Sequence, residues 1–315
     1  MKRISLKPLR PATSVAGLLL FLLTSCADVD VPSDDLQSFK ISQAPSATGL
    51  ANLIMTGEQP LVAVNALIFK EWATGDKFKG LTGREAYSLY GEGLVEVQTS
   101  LETRSIWVGR VEHQFEGSSD TSFDLFALFA YRSANSFLTY MARGAGDAPD
   151  ARSAGLLGQW LICSTTLDEP ELQSSTPSMS STLPAKAQLV ELTGFAENQV
   201  EALLSYPQNQ PVDIVQFIKF TDSAGEQHLG YQDAITATLG KYGAQLIWRG
   251  ALDFFLVGSS SPEFDEMTLT RFPSAKAFLQ VYSDPGLAEF KGNGTTGVSL
   301  RWSYLTSEVL DAPLQ

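Results

Sequence analysis

Cysteine and histidine are almost absent, with two of each in 315 residues. Metal centres built from thiolate and imidazole need three or four ligands at short spacing, and no such cluster occurs. The chain also lacks a nucleophile elbow, a Gly-rich phosphate loop and any helix-spaced histidine pair. Those absences remove the enzyme classes that carry such signatures and leave no named reaction. Base is scarce too. Twenty-two Lys and Arg face 35 Asp and Glu, a net charge of −13. Such a surface repels phosphate, which argues against nucleic acid as a partner. No apolar run is long enough to cross a bilayer as a helix; Ala16 to Leu23 is the main candidate, and it is too short.

What is present begins at the N-terminus. Lys2, Arg3, Lys7 and Arg10 precede the Ala16–Leu23 run, which ends in Leu23-Thr24-Ser25-Cys26. The segment resembles the signal peptide and lipobox of bacterial lipoproteins. The resemblance implies that residues 1–25 are removed and that Cys26 carries acyl chains holding the body to a membrane in the bacterial cell envelope. Each buried CH₂ contributes about 0.8 kcal/mol, and more than one chain makes the anchoring stable. Ala27, in place of aspartate directly after the cysteine, favours the outer membrane over the inner. Removing residues 1–25 takes away four basic residues and no acidic one, so −13 becomes −17. Residues 26–46, with Asp28, Asp30, Asp34 and Asp35, read as a disordered tether. With Cys26 lipidated, Cys163 has no partner in the chain; it is either a buried apolar residue or a reactive thiol.

The rest of the chain repeats itself. Ser105-Ile106-Trp107-Val108-Gly109 is echoed by Leu246-Ile247-Trp248-Arg249-Gly250, and Phe123-Asp124 by Phe264-Asp265. Tyr131-Arg132-Ser133-Ala134 is echoed by Phe272-Pro273-Ser274-Ala275, and Phe137 by Phe278. Every pair lies 141 residues apart. Residues 165–187, rich in Ser, Thr and Pro, fall between the copies and read as a linker. The units are therefore placed at 47–164 and 188–315.

Each unit reads alike. Leu61 to Lys70 and Val212 to Phe220 are buried strands. Tyr87, Tyr90, Leu94, Val97 and Leu101 recur at helical spacing, as do Tyr231, Ala234, Ile235, Thr238, Leu239 and Tyr242. Leu246, Trp248, Gly250, Leu252, Phe254 and Leu256 alternate as one face of a strand. Third strands begin at Phe123 and Phe264, second helices follow the N-cap serines Ser133 and Ser274, and fourth strands lie near 157–164 and 299–305. The order β-α-β-β-α-β defines an α+β fold of two tandem ferredoxin-like domains. Each antiparallel sheet keeps one apolar face free of helices, so the halves are expected to pack sheet to sheet as a pseudo-dimer within a monomer.

These segments resemble the dimeric α/β-barrel superfamily, in its domain-of-unknown-function 1330 type. The likeness is carried by Val215 to Phe220, Tyr231, Gly243 to Gly250, Phe264-Asp265, Arg271 to Phe278 and Ser283-Asp284-Pro285. The first half matches more loosely through Val64 to Lys70 and Gly83 to Tyr87, with Arg132 replacing the proline at Pro273. The motifs are structural rather than catalytic.

Candidate pocket residues follow from an expected space between the sheets. His113 shares the strand parity of Trp107, Val111 and Phe115, so it either lines that space, as a general base or haem ligand of the kind the resemblance allows, or is half-exposed at the strand end. Trp107 and Trp248 either sandwich a flat ligand or fill the core; the same alternatives hold for Tyr87 and Tyr231. Arg249 and Asp253 form a polar site only if their face is buried. The first functional expectation is a lipid-anchored, non-enzymatic protein without cofactor, binding a small apolar or aromatic molecule or a protein. The alternative is a cofactor-independent oxygenase or haem-handling protein of the barrel type.

Overall fold

The structure, a computed structural model, describes residues 29–31, 38–117, 122–143, 149–170, 182–221, 234–261, 263–290 and 297–309. The signal segment, Cys26, His228 and Tyr231 lie outside the described residues.

The strands are β1 (Val29–Val31), β2 (Ser38–Pro45), β3 (Leu61–Phe69), β4 (Arg104–Glu116), β5 (Leu125–Tyr131), β6 (Leu156–Asp168), β7 (Val212–Phe220), β8 (Gln245–Ser261), β9 (Glu266–Phe272) and β10 (Val298–Glu308). The helices are α1 (Ala47–Thr56), α2 (Gly83–Ser100), α3 (Ala134–Arg143), α4 (Pro149–Gly155), α5 (Lys186–Thr193), α6 (Glu197–Ser205), α7 (residues 234–241) and α8 (Ala275–Tyr282). All strand pairs are antiparallel, in the order β6-β3-β5-β4-β10-β7-β9-β8, and β8 pairs back onto β6. Eight strands thus close into a barrel. Within each half the order is fourth, first, third, second strand.

The halves do not stack face to face as the sequence suggested. They join edge to edge, β4 with β10 and β6 with β8. Open edges carry unpaired N–H and C=O groups, and closure pairs the edge strands of the two halves with each other. Each free sheet face then becomes half of one barrel interior. That interior is filled. Trp160 and Trp302 stack at 5.6 Å with 16° between planes, ringed by Phe123, Phe126, Phe217 and Phe264. Helices cover the outside, where Phe115, Phe195 and Phe278 anchor one layer and Leu53, Phe129 and Phe137 another.

The expected tether and linker are also partly structured. Ser38–Pro45 is β2, which crosses the β6–β8 seam and pairs with both strands. Its apolar Ile41 is buried in the barrel core, a contribution hidden by the acidic residues around it. β6 continues to Asp168 and α5 starts at Lys186, leaving a shorter joint than 165–187.

The repeated residues serve the shared backbone. Register shifts at Ile106 and Ile247 turn Trp107 and Trp248 inward, each indole lying over the glycine two residues on. A Cβ on Gly109 would sit 2.0 Å from the Trp107 ring, and one on Gly250 2.2 Å from that of Trp248. Asp124 and Asp265 each accept the last amide of the half's first strand, Phe69 N–H and Phe220 N–H, both at 2.7 Å. Ser133 and Ser274 accept from Ser136 N–H and Ala277 N–H as N-caps, at 3.1 and 3.2 Å.

A second pair of bulges sits on the two seams. Leu305 faces His113 while Thr306 faces Val111, so Glu112 is an extra residue in β4. Cys163 faces Phe254 while Ser164 faces Leu252, so Asp253 is the extra residue in β8. One inserted residue moves every following side chain to the opposite face. The alternation read from Leu246 to Leu256 therefore breaks at Asp253: Leu252 and Phe255 pack on the barrel core, whereas Phe254 and Leu256 belong to the outer layer. Each bulge acid accepts a hydroxyl from the other half's fourth strand, Ser307 to Glu112 Oε1 at 2.5 Å and Thr165 to Asp253 Oδ2 at 2.8 Å.

Candidate functional site

The same bulge decides the position of His113. It shifts His113 off the parity of Trp107 and Val111, onto the outer surface, where the residue is exposed. Phe115 moves with it and is buried against Phe195 and Phe278 of the helical layer. His113 therefore lines no interior pocket. The barrel interior holds packed aromatic and aliphatic side chains, and no group of three His, Cys, Asp or Glu among the described residues is placed to hold a metal.

Trp107 and Trp248 form no ligand sandwich. Both are buried in the barrel core, and their N–H groups are satisfied within the fold. Trp107 Nε1 donates to Asp213 Oδ2 at 2.8 Å and Trp248 Nε1 to Thr166 Oγ1 at 3.1 Å. Arg249 is taken up by a bidentate pair with the buried Glu266, both bonds at 2.8 Å. It lies apart from Asp253. Cys163 is fully buried, and burial pushes its thiol well up, which removes it as a nucleophile at neutral pH.

Tyr87 joins a cluster on the outer face of the first half. Its ring lies 5.3 Å from Phe69 and 5.5 Å from Tyr90, and Tyr131 lies 5.5 Å from Tyr140. Tyr90 and Tyr140 share a hydrogen bond, and Tyr140 another with Gln98. Burial raises the pKa of Tyr87, Tyr131 and Tyr140, and the neighbouring phenols raise it further. A phenol held above its unfolded value of 10.0 binds its proton more tightly in the folded state, so stability falls as pH rises past that value. An alkaline absorbance titration should therefore show these tyrosines ionising only as the fold is lost, in step with far-UV circular dichroism. Smooth ionisation of all nine tyrosines near pH 10 with the fold intact would contradict this burial.

Among the described residues a roomy concavity lies at the barrel rim. A groove of about 790 Å³ opens where β3 begins and where β5 and β6 end, bordered by the last turn of α1 and the β8 bulge. Leu61, Val62, Pro60, Tyr131 and Phe254 give it apolar walls. Its polar groups are few. Arg104 is engaged by Glu169, with Nη2 2.8 Å from Oε2. Asp253 Oδ2 accepts from the Thr165 hydroxyl at 2.8 Å. Partial burial raises the Asp253 carboxyl above its ordinary 3.8, against the smaller opposing pull of that hydroxyl. A volume of this size with apolar walls and one or two converging polar groups is the usual form of a small-molecule site. Of the residues expected to line a pocket, His113, Trp107, Trp248 and Tyr87 do not border it, whereas Asp253 does. The signal that pointed here was Asp253, an acid interrupting an alternating apolar strand.

At the corresponding rim of the second half an ion pair occupies the matching positions. Thr306 Oγ1 donates to Asp213 O at 2.7 Å and Ser164 Oγ to Val62 O at 2.8 Å, which makes Asp213 the counterpart of Val62. Asp213 faces Arg271 across the ladder as Val62 faces Ala130. Asp213 and Arg271 form a bidentate pair at 2.8 and 3.0 Å, and Arg271 reaches Glu308 at 2.7 Å. The side chains that plug one side are replaced by valine and alanine on the side where the groove opens.

No family model matches the chain, and no curated protein matches it. Solved structures do. A mutant chlorite dismutase from Candidatus Nitrospira defluvii, in complex with cyanide, aligns with 84% of this chain and 96% of its own at 12% identity and a TM-score of 0.46. A protein of unknown function from Rhodopseudomonas palustris aligns with 38% of this chain and 92% of its own at 24% identity and a TM-score of 0.34.

Proposed function

We propose that this is a lipid-anchored binding protein of the bacterial envelope, tethered through Cys26, that holds a small apolar or aromatic molecule bearing a cationic or hydrogen-bond-donating group. On this reading the two halves are copies of one ferredoxin-like unit of the dimeric α/β-barrel type, and the monomer is its own pseudo-dimer. The observation that carries the proposal is the rim groove, whose apolar walls converge on Asp253. Asp253 is exposed, and an ammonium or hydroxyl group placed there donates a charge-assisted hydrogen bond to its carboxylate. No chemical step is assigned.

Calorimetric titration with 2-phenylethylamine, 2-phenylethanol and phenylacetate tests the reading. The expected order of affinity is amine, then alcohol, with the acid excluded by the like charge of Asp253. Asp253→Asn should erase the preference for the amine. The amine occupies the groove best when Asp253 is ionised, so its binding should weaken as pH falls through the raised pKa of that carboxyl, above 3.8. Equal affinity for phenylacetate and 2-phenylethylamine would sink the proposal.

A further inference from the structure

The two halves part company along one row of the barrel rim. In the second half the row runs Gln245, Arg271, Asp213 and Thr306 across β8, β9, β7 and β10, and ends at the Glu112 bulge of β4. In the first half the equivalent row runs Arg104, Ala130, Val62 and Ser164 across β4, β5, β3 and β6, and ends at the Asp253 bulge of β8. The second half fills the middle of its row with its own bidentate ion pair, Arg271 to Asp213. The first half has alanine and valine there. Its guanidinium stands instead at the outer end of the row, where the second half has a glutamine.

Arg104 and Asp253 are thus the two ends of that row, and both line the groove. Four ladder steps separate them, about 19 Å along the sheet at about 4.8 Å per strand. The side chains between them at the groove, Ala130 and Val62, are apolar. Arg104 is exposed, and Glu169 occupies two of its five N–H groups. The rest are left for an acceptor in the groove, and an exposed pair of this kind is held weakly enough to share its guanidinium. Glu169 also balances the charge of Arg104, so the acceptor there need not be an anion, and a carbonyl oxygen suffices. The Asp253 end favours a cation. A molecule that fits both ends carries an ammonium group, an apolar stretch and then a carbonyl.

We infer that the occupant of the groove is a short peptide with a free N-terminus and a large apolar first side chain. Its ammonium meets Asp253, the side chain lies against Val62 and Phe254, and a backbone carbonyl farther along accepts from Arg104. At about 3.3–3.6 Å per extended residue, the span admits up to about five residues. The peptide brings to the first row the cation and the acceptor that Arg271 and Asp213 supply to the second. The inference rests on the assignment of the groove as a binding site and names the class of its ligand.

The test is calorimetric titration with phenylalanine amide and with the same unit lengthened by one to three alanines, each a C-terminal amide, against 2-phenylethylamine. Every probe is a monocation with one phenyl ring, so a difference in affinity reports the peptide portion. The expected result is affinity that rises with length to at least tenfold above 2-phenylethylamine, and that is lost on N-acetylation. Arg104→Gln, the change that copies Gln245, should abolish the gain and leave 2-phenylethylamine binding unchanged. A gain of less than tenfold, or one that survives Arg104→Gln or N-acetylation, overturns the inference and leaves the assignment of the groove standing. Failure of every probe to bind overturns that assignment and this inference with it.

Discussion

Asp213→Val will destabilise the protein by about 3–5 kcal/mol, and adding Arg271→Ala will recover most of the loss. Asp213 is 2% exposed, accepts two bonds from Arg271 and holds the Trp107 N–H. Removing the carboxylate alone leaves the partly buried Arg271 guanidinium with Glu308 to pair it and the Trp107 N–H without its acceptor, the costly half of breaking a buried network. Replacing both partners by apolar residues is often neutral, and here the first half already shows the apolar version, Val62 facing Ala130. Recovery will stop short by about 1–3 kcal/mol, because Trp107 loses its acceptor, whereas Trp248 keeps Thr166. Urea denaturation of the two variants checks this. A double variant as unstable as the single one would mean that the pair does more than satisfy itself.

Trp160→Ala will cost about 3–5 kcal/mol, the usual range for deleting a buried tryptophan from a core that cannot collapse. Its indole is fully buried, stacks on Trp302, meets Phe255 edge-on at 5.4 Å and donates to Lys40 O at 3.1 Å. That last bond ties the barrel core to β2, so the loss should also loosen the N-terminal strand. Faster amide exchange in residues 38–45 than in β3 would show it. Trp72→Ala, on the surface, should change stability by less than about 0.5 kcal/mol. A small loss for Trp160→Ala would contradict a filled barrel.

Much of the architecture was legible because the repeat preserves backbone requirements. Trp-x-Gly survives in both halves since the indole needs a neighbour without a Cβ. Phe-Asp survives since one side chain fills the core and the other satisfies the last amide of a strand. Those residues say how a half folds. They carry no information on how two halves meet, which depends on edge pairing over the whole chain. The position of His113 was lost for a local reason. A bulge adds one residue without changing composition, and a period-two reading across Glu112 returns the wrong face. β2 was hidden by the acids before it. The groove was illegible because its walls come from α1, β3, β5, β6 and β8, and because it opens where Asp213 and Arg271 are absent rather than where some motif is present.

The ligand's place in the rim groove is the most direct point of test. Asn52→Trp places a large ring on the last turns of α1, over the groove and away from the barrel interior. Calorimetric titration of this variant with 2-phenylethylamine should show binding lost while the thermal midpoint stays within a few degrees of the parent. Undiminished binding would contradict the assignment of the groove.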